Sequence, residues 1–251
     1  MTAAGTVLIT GAARRLGAAM ARALAADGWQ VIISYNRSAA EAEALVAEIE
    51  AAGGRCHAVA ADLADRATVA RLIPDCVTRF GRIDCLINNA SSFRAEDIGT
   101  MSFDSYDFHM RPNLEAPLFL AQGFVRALGD APGVIINMLD QKIANLNPDF
   151  LSYTVAKAGL AAATRMLAMA FGGRIRVCGI GPGVTLISGK QTPQGFERAW
   201  RSPPLGRSST PDEMVAAVRF ILATPSLNGQ VLFLDGGESL RGRARDVAFE
   251  V

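Results

Sequence analysis

Seven short apolar runs, separated by longer segments of mostly helical period, constrain this chain more than any other feature. The runs are TVLIT (6–10), QVIISY (30–35), CHAVAA (56–61), IDCLIN (83–88), GVIINM (133–138), IRVCGI (175–180) and QVLFL (230–234). They are rich in β-branched residues and apolar on both faces, the pattern of strands buried in a parallel sheet. Between them, 14–28, 38–52, 65–80, 112–128, 150–171 and 211–223 are long enough for helices. Ser38 stands as an N-cap before a segment that ends in Gly53-Gly54. Thr210-Pro211-Asp212-Glu213 offers a cap, a proline at the first helical position and acid in the first turn. The alternation predicts an α/β fold of Rossmann type, a doubly wound parallel sheet of about seven strands with helices on both faces. No repeat, low-complexity tract or long polar linker interrupts it, so residues 1–251 are expected to form a single domain. A Gly-, Pro- and Ser-rich loop at about 181–210 follows a strand end, where such folds bind ligands. Beyond the last strand, about 240–251 reads as a tail, with Arg241, Arg243 and Arg245 solvated or reaching a neighbouring subunit's site.

Charge and composition remove several function classes. Lys and Arg number 25 against 24 Asp and Glu, for a net charge of +1, which argues against a generic nucleic-acid binder. With 50% apolar and 20% charged residues the chain is not a disordered one. No apolar run approaches the roughly 18 residues of a membrane span; the longest, near 158–171, is broken by Arg165. The N-terminus has no basic n-region of a secretory signal. Cys56, Cys76, Cys85 and Cys178 form no CxxC pair, and only His57 and His109 could join them on a metal. Buried free thiols, no metal site and a cytoplasmic location are the expectation.

Chemistry concentrates at the strand ends. The first strand runs into Thr10-Gly11-Ala12-Ala13-Arg14-Arg15-Leu16-Gly17, either an ordinary tight turn or one whose amides face a pyrophosphate. It lacks the middle glycine of GxGxxG, and Arg15 stands near that place; a cation at a helix N-terminus is unfavourable unless an anion neutralises it. After the second strand, Tyr35-Asn36-Arg37-Ser38 carries no acid for ribose hydroxyls. Arg37 and Ser38 suit a 2′-phosphate, or else are a solvated charge beside a helix cap. Asn88-Asn89-Ala90-Ser91 follows the fourth strand and Asn113 lies in a helical segment. Tyr153 and Lys157, four apart, share one helix face, where the ammonium is expected to lower the tyrosine pKa.

Taken together, TGAARRLG at 10–17, Asp62-Leu63, NNAS at 88–91, Asn113, YTVAK at 153–157, GPG at 181–183 and LDGG at 234–237 resemble the short-chain dehydrogenase/reductase family over nearly the whole chain. The resemblance implies an oxidoreductase with NAD(P) bound at the strand carboxyl ends, and Arg37-Ser38 makes NADP(H) the expected form. Tyr153 would be its acid/base, Lys157 the holder of the nicotinamide ribose and Asn113 the keeper of a proton-relay water. Gly11, Arg15, Leu16, Gly17, Asn36, Arg37, Ser38, Asp62, Leu63, Asn89, Ala90, Ser91, Pro182 and Gly183 would line the cofactor with Tyr153 and Lys157. Asp62 would lie against adenine and Asn89 near the adenine-side ribose. Homotetramers are the family default.

Three departures narrow the resemblance. Asp140 stands thirteen residues before Tyr153 where the family commonly has Ser, Arg15 replaces a glycine, and NNAS continues into Ser92-Phe93. These points and the Arg37-Ser38 pair are similar to the pteridine reductase and dihydromonapterin reductase branch. That branch implies a planar heterocyclic substrate bound by Arg15, Ser91, Phe93, Asp140 and Tyr153, and reduction of a pterin-like C=N bond. Read singly, Asp140 is also compatible with an inconsequential loop residue, and Phe93 with a core aromatic. A 3-oxoacyl or small-ketone reductase is the alternative, and a catalytically silent NADPH-binding sensor or scaffold is one of another class.

Overall fold

The computed structural model describes residues 5–188 and 191–250. Seven strands, β1 Thr6–Ile9, β2 Gln30–Tyr35, β3 Arg55–Ala60, β4 Cys85–Asn88, β5 Gly133–Met138, β6 Ile175–Pro182 and β7 Val231–Leu234, form one sheet. Its order is β3-β2-β1-β4-β5-β6-β7. Every pairing is parallel, with Val7 opposite Val31 on one side and Cys85 on the other. Helices α1 Arg15–Ala26, α2 Ala39–Ala51, α3 Arg66–Phe80, α4 Phe103–Met110, α5 Ala116–Leu128, α6 Leu151–Ala170, α7 Pro193–Arg201, α8 Pro211–Ala223 and α9 Val247–Glu250 accompany the sheet, with a π turn and two short 3-10 turns.

The side-chain alternation of the strands builds two cores. Val7, Ile9, Val31 and Ile33 pack with Met20 and Leu24 of α1, Leu45 of α2 and Val218 of α8. Leu8, Ile32 and Leu86 point the other way, onto Leu72 of α3 and Leu120 and Phe124 of α5. Consecutive strand residues are therefore both buried, as the apolar runs predict for the central strands. At the two sheet edges that expectation fails. β3 and β7 are largely half-buried, and Phe233 is exposed, because an edge strand has a neighbour on one side only. All four cysteines are buried free thiols, and burial raises the thiol pKa of each.

Four other expectations change. The helix read from 112 begins at Phe103 and passes through a π-helical turn, Arg111–Glu115, before α5. Pro112 explains the wider turn, since it has no N–H for the carbonyl four residues back and crowds it. Ser38 precedes α2 without giving its side chain to a capping bond. The 181–210 stretch is not all loop: β6 runs to Pro182 and Thr192 caps α7 through Gly195 N–H at 3.0 Å; residues 189–190 lie outside the described residues. The tail is exposed at Arg241 and Arg245, as expected of a solvated tail, but its three arginines are paired. Arg243 bonds Glu238, Arg245 bonds Asp149 at 2.9 Å, and Arg241 reaches Ser202 O at 2.5 Å, all within the chain.

Candidate active site

The strand order reverses between β1 and β4, and the turns at their carboxyl ends open a crevice of the kind that binds ligands in such sheets. Its floor is stitched by Asn89 and Thr10. Asn89 Nδ2 donates to Thr10 O at 2.8 Å and Gly11 O at 3.2 Å, while Thr10 Oγ1 accepts from the amides of Asn89 and Ala90 at 3.0 Å each. Gly17 is dictated by this closeness, because a Cβ there would stand 2.5 Å from Ala12 Cα. No side chain caps the N-terminus of α1, so its first amides have no side-chain acceptor.

Arg15 holds a left-handed backbone, φ 58°, which accounts for a glycine being common at this position. That conformation costs an L-residue roughly 1–2 kcal/mol. Its guanidinium spans to the far loop and donates to Ile187 O at 2.5 Å. Asn36 and Arg37 are exposed beside the half-buried Ser38. Asp62 is exposed and accepts from Ala64 N–H at 2.9 Å, whereas Leu63 is buried. On the opposite wall Gly183 lies against Ser208 and Asp235, where a Cβ would come within 2.4 Å of Ser208 Oγ, next to the half-buried Pro182.

The candidate reactive groups come from the segment after β5, from α6 and from the segment after β4. Tyr153 Oη donates to Asp140 Oδ2 at 2.7 Å, and Asp140 Oδ1 accepts from Lys142 N–H at 2.9 Å, capping the 3-10 turn Gln141–Ala144. Burial raises the Asp140 carboxyl, the bonds from Lys142 N–H and Tyr153 opposing it. Tyr153 is pushed well above the ordinary phenol value, first by burial and then by the Asp140 charge. This corrects the expectation that Lys157 lowers it. Lys157 Nζ donates to Met138 O at 2.8 Å and lies 5.9 Å from the Tyr153 ring centroid. Burial pushes the ammonium itself down to about 8.

Asn113 is wholly buried in the π turn, and its amide is fully used. Nδ2 donates to Ser92 O at 2.8 Å and His109 O at 2.9 Å. Oδ1 accepts from Ser91 Oγ at 2.7 Å and Ser92 N–H at 3.3 Å. With two donors and two lone pairs spent, this side chain holds the segment after β4 and has none left for a water. Phe93 follows, 42% exposed, stacked on Phe150 at 4.4 Å and edge-on to Tyr153 at 4.8 Å.

Sequence reasoning missed the residues that brace this segment. His109 Nε2 accepts from Arg94 N–H at 3.0 Å, so its proton sits on Nδ1 and goes to Ser152 Oγ at 2.7 Å. Ser152 Oγ donates in turn to the buried Glu96, whose carboxylate also takes Ser152 N–H at 2.8 Å. The neighbouring positions were the available signal: His109 is four before Asn113 and Ser152 directly precedes Tyr153. Phe150 was also missed, a left-handed residue, φ 55°, at the entry to α6. Among the described residues no cluster of His, Cys, Asp and Glu could hold a metal, and no helix is long and apolar enough to cross a membrane.

Residues 11–239 match a family described as enoyl-(acyl carrier protein) reductase. The chain is 40% identical to FolM alternative dihydrofolate reductase 1 from Brucella canis, solved with NADP, with a TM-score of 0.93 over 98% of each chain. It is 30% identical to pteridine reductase 1 of Leishmania tarentolae, over 94% of this chain and 97% of the relative. It is also 33% identical to a 3-oxoacyl-[acyl-carrier-protein] reductase of Synechocystis, over 93% and 96%. The chain belongs to the short-chain dehydrogenase/reductase family.

Proposed function

From that membership we propose that this oxidoreductase uses NADPH to reduce a C=N bond in a planar pterin-class heterocycle, such as a dihydropteridine, dihydromonapterin or dihydrofolate. NADP(H) is the cofactor, as in the Brucella canis neighbour. The crevice fits it: no side chain caps the α1 amides, and the Ser38 hydroxyl is not spent on a cap. Arg37 and Ser38 would take the 2′-phosphate, Lys157 the nicotinamide ribose, and the first turn the pyrophosphate. When bound, the cofactor supplies a hydride to the substrate carbon.

The observation that carries the reading is the hydrogen bond from Tyr153 to Asp140 beside an open aromatic face at Phe93. Hydride addition to C=N makes the adjacent nitrogen basic, and that nitrogen needs a proton. Tyr153 holds one firmly, and Asp140, with its raised pKa, can supply or replace it. Phe93 offers a flat surface for offset stacking, worth roughly 0.5–1.5 kcal/mol beyond buried area. Ser91 and Arg15, whose polar groups otherwise bond Asn113 and Ile187 O, would meet the polar rim of the heterocycle. The Synechocystis relative favours a 3-oxoacyl reductase as second reading. Asp140 counts against it while ionised, the state that accepts from Tyr153, since the charge would repel the oxyanion of a reacting ketone. NADPH consumption with a panel of dihydropterins, dihydrofolate, small ketones and 3-oxoacyl thioesters separates the two, and no turnover with any of them would favour a silent binding protein. A homotetramer and a cytoplasmic location complete the proposal.

A further inference from the structure

Three aromatic rings stand in line behind the substrate face. Phe93 stacks on Phe150 at 4.4 Å and 25°, and Phe150 stacks on Phe249 at 5.4 Å and 15°. They come from the segment after β4, the entry to α6 and the short helix α9. One face of Phe93 is therefore backed, and its remaining exposure belongs to the ring's other side and edge.

The turn that carries Phe249 is tied down by buried charge. Asp246 meets Lys142 Nζ at 2.7 Å, and both side chains are mostly buried. Asp149 Oδ2 accepts from Asp246 N–H at 2.7 Å and from Arg245 Nε at 2.9 Å. Lys142 lies 5.2 Å from the Phe150 centroid and Arg245 5.3 Å from that of Phe249. The backbone of Lys142 is also what fixes Asp140 Oδ1. One short turn thus anchors the reactive carboxyl on one side and the chain's end on the other.

A four-residue helix has no stability of its own. Phe249 is 51% exposed, so its ring gains little as core. Its position is explained by what it presses on. We propose that Phe249 is a positioning residue of the substrate site: it holds Phe150 against the back of Phe93 and so sets the plane on which a bicyclic heterocycle stacks. The inference rests on the pterin-class reading. It makes the end of the chain a determinant of selectivity for flat over aliphatic substrates, because only a flat ring depends on the tilt of Phe93.

The test compares the unsubstituted chain with Phe249→Leu, Phe249→Tyr and Asp246→Asn. Readouts are KM and kcat for a dihydropteridine, the affinity of the NADP-loaded enzyme for a 2,4-diaminopteridine, and thermal midpoint. Phe249→Leu should raise KM and weaken the diaminopteridine about fivefold, the scale of one lost stacking contact, with kcat and NADPH affinity held. Phe249→Tyr should restore both values; Asp246→Asn should move KM and affinity in the same direction and change kcat as well, because its charge acts on Asp140 and Tyr153. Wild-type KM and affinity in Phe249→Leu and Asp246→Asn would overturn the inference while leaving the function standing. A loss of kcat and NADPH affinity together with the thermal midpoint, unrescued by tyrosine, would also overturn it, as a plain folding effect. A wild-type enzyme that neither binds nor reduces any pteridine overturns the function and the inference with it.

Discussion

Tyr153 gives its phenolic hydrogen to Asp140 at 2.7 Å, across a separation of thirteen residues. The pair is two acids sharing a proton inside a mostly buried site. The carboxyl is harder to ionise than an ordinary aspartate, and the phenol harder than an ordinary tyrosine. Such a pair suits proton delivery to a ring nitrogen; Asp140 would repel an oxyanion only in its ionised form.

Tyr153→Phe keeps the ring that contacts Phe93 and removes only the transferable proton. It should lower kcat by on the order of 10²–10⁴-fold and leave NADPH affinity nearly unchanged. Stopped-flow turnover with a parallel cofactor titration checks this. Full activity in the variant would remove Tyr153 from the proton path.

Asp140 should leave a mark on the pH profile. Its carboxyl is raised by burial, so the protonated form persists above the usual carboxylate range and is lost as pH rises through the raised value. The kcat for a dihydropterin should fall along that limb, and Asp140→Asn should lack it. A limb that is identical in wild type and Asp140→Asn would assign it to another group.

Lys157 supplies a stability prediction of definite sign. In the folded chain its ammonium is lost near about 8, against 10.5 for an unperturbed lysine. Between those values the unfolded state binds the extra proton, so stability rises with pH there, and the full cost is present below about 8. Lys157→Gln removes the buried charge and keeps an N–H for Met138 O. Without cofactor it should be more stable than wild type at neutral pH, by on the order of 3 kcal/mol at most, with the gap closing toward pH 10.5. Denaturant melts across that range would contradict this if the gap stayed constant or had the opposite sign.

Arg15 separates conformation from contact. Arg15→Gly and Arg15→Ala both lose the bond to Ile187 O, but only glycine accepts φ 58° without strain. The glycine variant should be the more stable by about 1 kcal/mol, and both should bind a pteridine more weakly than wild type. Equal stability of the two variants would mean that the left-handed turn stores no strain.

Arg37 and Ser38 should make the enzyme prefer NADPH. Arg37→Asp is expected to cost NADPH about 1.5–3 kcal/mol, the worth of a charge-assisted hydrogen bond, and NADH little. Equal NADH and NADPH efficiency in the wild type would contradict the assignment.

The sheet was legible because burial on two faces leaves short, β-branched apolar runs that recur between longer helical segments. The central strands lie within a few residues of their apolar runs, and α8 begins where Thr210-Pro211 places it. Helix α4 was not legible: FDSYDFHM shows no apolar stripe, and its cap is a reciprocal pair of Ser102 and Ser105 rather than the usual Ser with Glu or Gln. Helix α7 had the same Thr-Pro start as α8 and was hidden by the glycines and prolines around it. Tyr153, Lys157, Asp140 and Asn113 were visible as a pattern, but not the direction of their electrostatics. That depends first on burial and then on how near a carboxylate comes to the phenol, neither of which spacing along the chain encodes. The bracing by His109, Ser152 and Glu96, and the stack of Phe249 on Phe150, join segments far apart in sequence and leave no local signature.

The central claim is that Asp140 beside Tyr153 commits the site to a heterocyclic C=N bond. The most direct measurement is kcat/KM with NADPH for a dihydropterin and for a 3-oxoacyl thioester, in wild type and in Asp140→Ser. The account predicts that the wild type reduces the dihydropterin far better, and that the serine variant loses pterin turnover while its ratio shifts toward the thioester. A wild type that reduces the thioester and no dihydropterin or dihydrofolate would contradict it.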